Sequence, residues 1–214
     1  MNNTTKKLTA VVVLCLSMVA CKKEEINNNN GTYIESGSAI VTNEGSFGSN
    51  NASISFINRN GIATNYIYEA ANNGINIGDV VQSYTRVGNK GIICVNNSHK
   101  IEIVDARTFK HLATITDTTA TKHTDYVRYA IGVSDSKAYV SNGKYTGEIV
   151  VLNLTTNTIS KSINVGKGPE QLAAVGSEVY VANSGGWDVD STVSVINTST
   201  DVVTSTIKVG DIPT

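Results

Sequence analysis

The sequence predicts an all-β protein, a β-propeller of four-stranded antiparallel blades. Val165–Pro169 and Val209–Pro213 carry the same V-G-x-x-P signature, and about 44 residues separate the two copies. Between them lie four strand-length runs rich in Val, Ile, Tyr and Thr, bounded by Gly, Ser, Asn or Asp. No amphipathic helical period follows residue 20. Four strands in a repeat of this length are typical of one propeller blade.

The four strands of this blade recur upstream in register. The runs of the reference blade are Gln171–Val175, Glu178–Asn183, Thr192–Asn197 and Val202–Val209. The predicted second strands end at Asn43, Asn96, Asn142 and Asn183. The predicted fourth strands contain Tyr68, Ile115, Ile163 and Ile207, each ten residues after the Asn or Asp that ends the third strand. The expected blades cover residues 37–69, 79–116, 126–164 and 169–209.

The repeats predict an incomplete arc of about four blades. Strands that open a blade are expected at Asp79–Val87, Tyr126–Val133 and Glu170–Val175, but Thr32–Ser36 is too short and polar to open the first blade. The second V-G-x-x-P copy is followed only by Thr214. Because propellers close with about 4–8 blades, we expect residues 37–214 to be part of a longer, six- to eight-bladed ring.

Residues 1–20 are predicted to form a lipoprotein signal peptide. Lys6 and Lys7 precede a 13-residue apolar run that is too short to span a bilayer. Ala20 directly precedes Cys21, as in a bacterial lipobox, which predicts lipidation of the Cys21 thiol. The alternative is an ordinary signal peptide with an incidental cysteine. Residues 21–36, polar and Asn-rich, are expected to form a flexible tether.

Composition restricts the function classes. With 17 basic and 18 acidic residues, the chain has no electrostatic footprint for nucleic acid. Cys94 stands in an apolar strand and is expected to be a buried hydrophobe. His99, His111 and His123 lack a paired metal spacing. No nucleophile elbow, phosphate-binding glycine loop or paired-carboxylate pattern is present, so we expect neither an enzyme nor a cofactor.

The longer connections are predicted to share one face. In a four-stranded meander, successive turns alternate between the two faces of the ring. The connections after second and fourth strands are longer than the others, so a ligand site is expected there. The candidate ligand-binding residues are Asn43, Glu44, Phe47, Asn96, Asn142, Tyr145, Asn183, Trp187, Asp188 and Arg128.

Each candidate has a structural alternative. Phe47, Tyr145 and Trp187 offer flat stacking area for a sugar or a macrocycle, or they pack between blades. The four Asn residues bind a ligand, or they only shape the strand ends. Arg128 points toward the central channel, or it has a structural role. Asp188-x-Asp190 could bind calcium but has no EF-hand spacing, so an ordinary exposed loop is the alternative.

Several phrases carry a family resemblance. Tyr180-Val181-Ala182-Asn183 and Ile207-Lys208-Val209-Gly210 resemble the YVTN-type propellers. Val41–Gly48 and Ile77–Ser83 resemble surface lipoproteins of Bacteroidetes in the DUF5074 group. That group includes the BtuG-type corrinoid-capture propellers, which sit over an outer-membrane TonB-dependent transporter. Charged residues after Cys21 resemble the surface-export signal of such lipoproteins.

The resemblance implies a non-enzymatic lipoprotein of the outer membrane, exposed at the cell surface. Its expected ligand is a small molecule or glycan, a corrinoid among them, taken up with a TonB-dependent transporter. Two alternatives stay open at this point: an extracytoplasmic propeller hydrolase or lactonase, and a protein-interaction or adhesion scaffold.

Overall fold

The computed structural model describes residues 31–214. The predicted signal peptide and the lipidation site Cys21 lie outside these residues. Within the described part of the chain, no helix is long and apolar enough to cross a membrane.

Four antiparallel sheets follow one another along the chain. The first blade has three strands, β1 Ala39–Asn43, β2 Ser53–Ile57 and β3 Ala63–Thr64, followed by the short helix α1 Ile67–Ala71. The second has β4 Val81–Val87, β5 Lys90–Val95, β6 Lys100–Asp105 and β7 His111–Thr116. The third has β8 Val127–Ser134, β9 Lys137–Asn142, β10 Glu148–Asn153 and β11 Thr158–Asn164. The fourth has β12 Pro169–Val175, β13 Glu178–Asn183, β14 Thr192–Asn197 and β15 Val202–Lys208.

This arrangement confirms the predicted all-β propeller arc of four blades. The strands of each blade pair in sequence order, so every blade is a simple meander. The turn before the last strand of each blade has the same hydrogen bonding. At this turn a side-chain oxygen accepts from backbone N–H groups that follow it, and the residues that supply this oxygen are Asn58, Asp105, Asn153 and Asn197. The repeat in the sequence therefore encodes turn chemistry as well as strand positions.

The core lies between the blades. Ile101 and Ile103 of the second blade pack against Val150 and Leu152 of the third. The next interface places Tyr139 and Val151 against the fourth blade in the same way. In the second and third blades, apolar side chains on both faces of the sheet bury the two middle strands, which explains the near-continuous Val and Ile content of these strands. Cys94 belongs to this core, and complete burial raises the pKa of its thiol to about 12.

The predicted fourth strand at Tyr68 is wrong. The strand β3 ends at Thr64, and Tyr66 adopts a left-handed conformation with φ of 56° that starts the helix α1. The Tyr68 side chain is nonetheless only 3% exposed, close to the 6% of Ile115 and Ile163 in true fourth strands. The repeat spacing correctly identified Tyr68 as a buried side chain. It did not identify the secondary structure of the backbone there, which is a helix and not a strand.

The assignment of residues 31–36 to a flexible tether also changes. Tyr33 is buried, with its ring centroid 5.4 Å from that of Phe56 and 5.5 Å from that of Phe109. Its backbone N–H donates to the carbonyl of Arg107. One aromatic residue is enough to fix a polar segment when it fills a gap beside the first two blades.

Candidate functional site

The long connections meet on one face of the arc. The backbone N–H of Gly48, in the first long loop, donates to the Asp79 carboxylate before the second blade (2.8 Å). At the next junction, the N–H of Gly143 donates to the carbonyl of Tyr126. At the last, the N–H of Gly185 donates to the carbonyl of Lys167. Loops within a blade and linkers between blades therefore form one continuous surface, which we call the loop face.

A cavity of about 540 Å³ opens on the loop face. Its lining combines aromatic rings, amides and one ion pair. The lining residues are Phe47, Asn96, Asn97, His99, Tyr126, Arg128, Gly143, Glu170, Gly186 and Trp187. Four predicted site residues, from four different segments, are thus brought together: Phe47, Asn96, Arg128 and Trp187.

Aromatic rings form the walls of this cavity. The side chains of Phe47 and Trp187 are 79% and 75% exposed, unusual values for large apolar groups. The Trp187 ring meets Tyr126 edge to face at 5.1 Å, and Tyr126 meets His99 in the same manner at 6.4 Å. Nδ1 of His99 donates to the carbonyl oxygen of Asp125 (2.6 Å).

Arg128 and Glu170 form the floor of the cavity. Nε of Arg128 donates to both carboxylate oxygens of Glu170 (2.9 and 3.0 Å), and Nη1 donates to Oε1 of Gln82 (2.7 Å). Gly143 packs closely against this side chain, because a Cβ at this position would lie 3.2 Å from Cγ of Arg128. The structure thus places the Arg128 side chain in the cavity and pairs it with an acid from the next blade.

Lys167 contacts the loop that carries Trp187. Nζ of Lys167 donates to Asp188 (2.7 Å) and lies 4.6 Å from the ring centroid of Tyr145. The hydrogen bond from Lys167 lowers the pKa of the Asp188 carboxyl, and the same contact raises the pKa of Lys167. Gly185 is required in this loop, because its φ is +99° and a Cβ would lie 2.2 Å from the Asp188 carbonyl oxygen.

Tyr145 and Asp188 therefore lie beside the cavity and do not line it. The carboxylate of Asp190 is also hydrogen-bonded within the protein. It accepts from the Lys167 backbone N–H and from the Thr192 hydroxyl. Among residues 31–214, no group of three or more His, Cys, Asp and Glu side chains could hold a metal ion.

Three of the four predicted Asn residues shape strand ends. Asn43 donates to the hydroxyls of Ser53 and Ser55 (3.2 and 3.0 Å). Asn142 and Asn183 are completely buried. Asn142 accepts from the Tyr126 N–H and donates to the Glu148 carboxylate (2.9 and 2.8 Å). These contacts favour the structural alternative for all three.

Asn96 does not occupy the position of these three residues, and the predicted alignment is off by one residue there. In the strand pairing, Lys90 lies opposite Asp105, as Lys137 lies opposite Asn153 in the next blade. Lys90 and Lys137 are therefore equivalent positions. Five residues after each of them stand Val95 and Asn142, so Val95 is the counterpart of Asn142. Asn96 lies one residue later, beyond β5, which places it in the cavity lining. Its Nδ2 donates to the carbonyl of Val127 (3.1 Å).

Sequence reasoning missed Gln82, Asn97, Tyr126 and Glu170. A signal for two of them was present: Gln82, Arg128 and Glu170 hold the same register position in the blade-opening strands, one residue after Val81, Val127 and Pro169. Glu44, one of the predicted ligand-binding residues, accepts a hydrogen bond from Gln82. The distance from Nε2 of Gln82 to Oε1 of Glu44 is 3.4 Å. It therefore extends the polar row of the floor toward the Phe47 loop.

Solved structures with similar folds include a WD40 β-propeller domain. Hydrazine synthase from Kuenenia stuttgartiensis matches with a TM-score of 0.60 and 16% identity, over 73% of this chain and 43% of that one. The WD40 β-propeller domain of Doa1 matches with a TM-score of 0.60 and 13% identity, over 84% of this chain and 53% of the domain. The computationally designed protein Ika8 matches with a TM-score of 0.60 and 12% identity, over 84% and 49%.

The chain spans about half the length of these solved structures. At such identities, the likeness shows the fold alone. Long loops on one face of a rigid scaffold form a surface on which a ligand or a partner can bind. No curated protein matches the chain. Residues 36–213 match the family model described as "Domain of unknown function (DUF5074)". The chain therefore belongs to the DUF5074 family of β-propellers.

Proposed function

We propose that this protein is a non-enzymatic cell-surface lipoprotein whose loop face captures an extracellular small molecule. A corrinoid is the first candidate ligand, and an outer-membrane TonB-dependent transporter is the receiving partner. One observation carries the proposal: a cavity on the loop face has exposed aromatic walls at Phe47 and Trp187 and a polar floor at Arg128.

The shape and chemistry of this cavity suit a flat ligand. Its volume of about 540 Å³ falls in the range of small-molecule sites, roughly 300–1,000 Å³. Leaving two large aromatic side chains in water forgoes burial worth about 1.5–3 kcal/mol for a side chain such as Phe. A ring that covers them would recover part of this free energy, and the floor would orient its polar edge.

The location on the cell surface rests on the sequence and on the family resemblance. A signal peptide ending before Cys21 predicts a lipid anchor, and Lys22–Glu25 predict surface export. In the native organism, the wild-type protein should incorporate labelled fatty acid and be cleaved by protease added to intact cells. A Cys21→Ala variant should lose the label. Wild-type protein that stays unlabelled, or that only lysis exposes to protease, would contradict this location.

Calorimetry with cyanocobalamin tests the capture function. The wild-type chain should bind, and Trp187→Ala should weaken binding at least tenfold, because it removes one wall of the cavity. Val189→Ala is the control: it removes a 52% exposed apolar side chain from the same loop, and Val189 does not line the cavity. Binding that does not depend on Trp187 would contradict the proposed site, and no binding of cyanocobalamin would contradict the corrinoid.

A further inference from the structure

The floor of the cavity holds one cation and one anion that neutralise each other. The side chains of Arg128 and Glu170 are 30% and 16% exposed, so the pair is partly shielded from water. Two short contacts from Nε fix the Glu170 carboxylate against the guanidinium group. An ion pair in such surroundings is screened less by salt than one on the open surface.

The guanidinium group also donates to an acceptor other than Glu170. Nη1 donates to Gln82, whose Nε2 lies 3.4 Å from the Glu44 carboxylate and 3.5 Å from the Tyr129 hydroxyl. The row Glu44, Gln82, Arg128 and Glu170 therefore carries two negative charges and one positive charge. A ligand anion that approached Arg128 would also approach Glu170.

Hydrogen-bonding capacity remains on this floor. Among residues 31–214, no acceptor is paired with Nη2 of Arg128. The amides of Asn96 and Asn97 add polar groups at the cavity lining. The floor can therefore donate to and accept from a ligand without offering a net positive charge.

We propose that Glu170 sets the charge selectivity of the cavity. The cavity takes a neutral ring ligand that bears hydroxyl or carboxamide groups, and it rejects the corresponding carboxylate. The aromatic walls bind the ring faces, and Arg128 donates to an uncharged oxygen. This inference rests on the proposed capture function and specifies the ligand class.

Two matched probe pairs test the selectivity. One pair is cyanocobalamin and its monocarboxylic acid, in which one carboxamide is hydrolysed. The other is methyl-esterified hexagalacturonate and hexagalacturonate. Trp187 is the only tryptophan in the sequence, so its fluorescence reports on the cavity wall, with calorimetry as a second readout. The wild-type chain should bind the neutral member of at least one pair at least tenfold more tightly than the acid.

Removing the charge of Glu170 should weaken this preference. In Glu170→Gln, Arg128 loses its counter-charge, and the ratio of acid to neutral affinity should rise at least tenfold. Glu35→Gln is the control, because it removes a carboxylate paired with Arg59 and not with Arg128. Should Glu170→Gln fold poorly, Gln82→Glu tests the same idea in the opposite direction, since a second carboxylate at Arg128 should lower the ratio.

The outcomes separate the two proposals. If the wild-type chain binds an acid as tightly as its neutral partner, or if Glu170→Gln leaves the ratio unchanged, charge selection by Glu170 is wrong and capture stands. If none of the four probes binds, both the capture function and its ligand class are wrong. If only one neutral probe binds, it identifies the ligand class. Binding of cyanocobalamin indicates a macrocycle, and binding of methyl-esterified hexagalacturonate indicates a saccharide.

Discussion

The two aromatic walls of the cavity are held in different ways. On the Phe47 side, the carboxylate of Asp79, a residue only 6% exposed, accepts from the Gly48 N–H and from Asn97 (2.8 and 2.6 Å). On the Trp187 side, the ion pair of Lys167 and Asp188 lies in the open, with side chains 40% and 48% exposed.

This difference separates a wall fixed by the fold from a wall that solution conditions can adjust. Removing a buried acceptor leaves its donors unpaired, which typically costs about 1–3 kcal/mol for each buried group. An exposed ion pair contributes roughly 0–1 kcal/mol and weakens with salt. The Phe47 loop should therefore respond to mutation through global stability, and the Trp187 loop should respond through local order.

Asp79→Ala should have the largest effect. It leaves Gly48 and Asn97 without their acceptor, but Gly48 is exposed and Asn97 is half-buried, so water replaces part of the lost hydrogen bonding. We therefore expect a loss of about 1 kcal/mol in the free energy of unfolding. Urea unfolding measures this loss. Asp135→Ala, an exposed Asp in a short turn, is the control and should change stability by less than about 0.5 kcal/mol. Equal effects of the two variants would show that Asp79 does not anchor the loop.

Salt should separate the two loops with a smaller effect. Raising NaCl from 0.05 to 0.5 M screens the Lys167–Asp188 pair, so the fluorescence anisotropy of Trp187 should fall. In the double variant Phe47→Trp/Trp187→Phe, the only tryptophan reports on the Phe47 loop, and its anisotropy should stay constant. An equal response of the two proteins would remove the distinction between the walls.

Acid should produce the smallest effect on the Trp187 loop. Because its pKa is lowered in the folded protein, Asp188 contributes fully above its ordinary value of about 3.8. The contribution is lost as pH falls through the lowered pKa. Trp187 emission should therefore change only below about pH 3.8. Asp188→Asn should show the low-pH emission already at pH 7; wild-type emission there would contradict the prediction.

Local patterns in the sequence predicted the scaffold well, because strands and turns depend on neighbouring residues. The V-G-x-x-P signature and the Asn or Asp that ends each third strand located three blades almost completely. Tyr68 and Tyr33 were misassigned because their place in the core depends on packing against the second blade. Tyr33 belongs to a polar segment and Tyr68 to a helix, yet both aromatic side chains pack in the core beside the second blade.

The floor of the cavity was harder to predict, because its contacts join residues far apart in sequence. Arg128 is 42 residues from Glu170 and 46 from Gln82. Only the register of the blade-opening strands brings them side by side. Arg128 was predicted as a single candidate, whereas comparing the three opening strands position by position would have indicated the whole row.

The row of Gln82, Arg128 and Glu170 limits how far the blades behave as interchangeable modules. Each blade folds its own meander, yet one guanidinium group takes partners from the blades on both sides. An engineer who duplicates the third blade would set two arginines against each other, and one who deletes it would bring Gln82 against Glu170. In this propeller, the contacts of one side chain therefore link three consecutive blades.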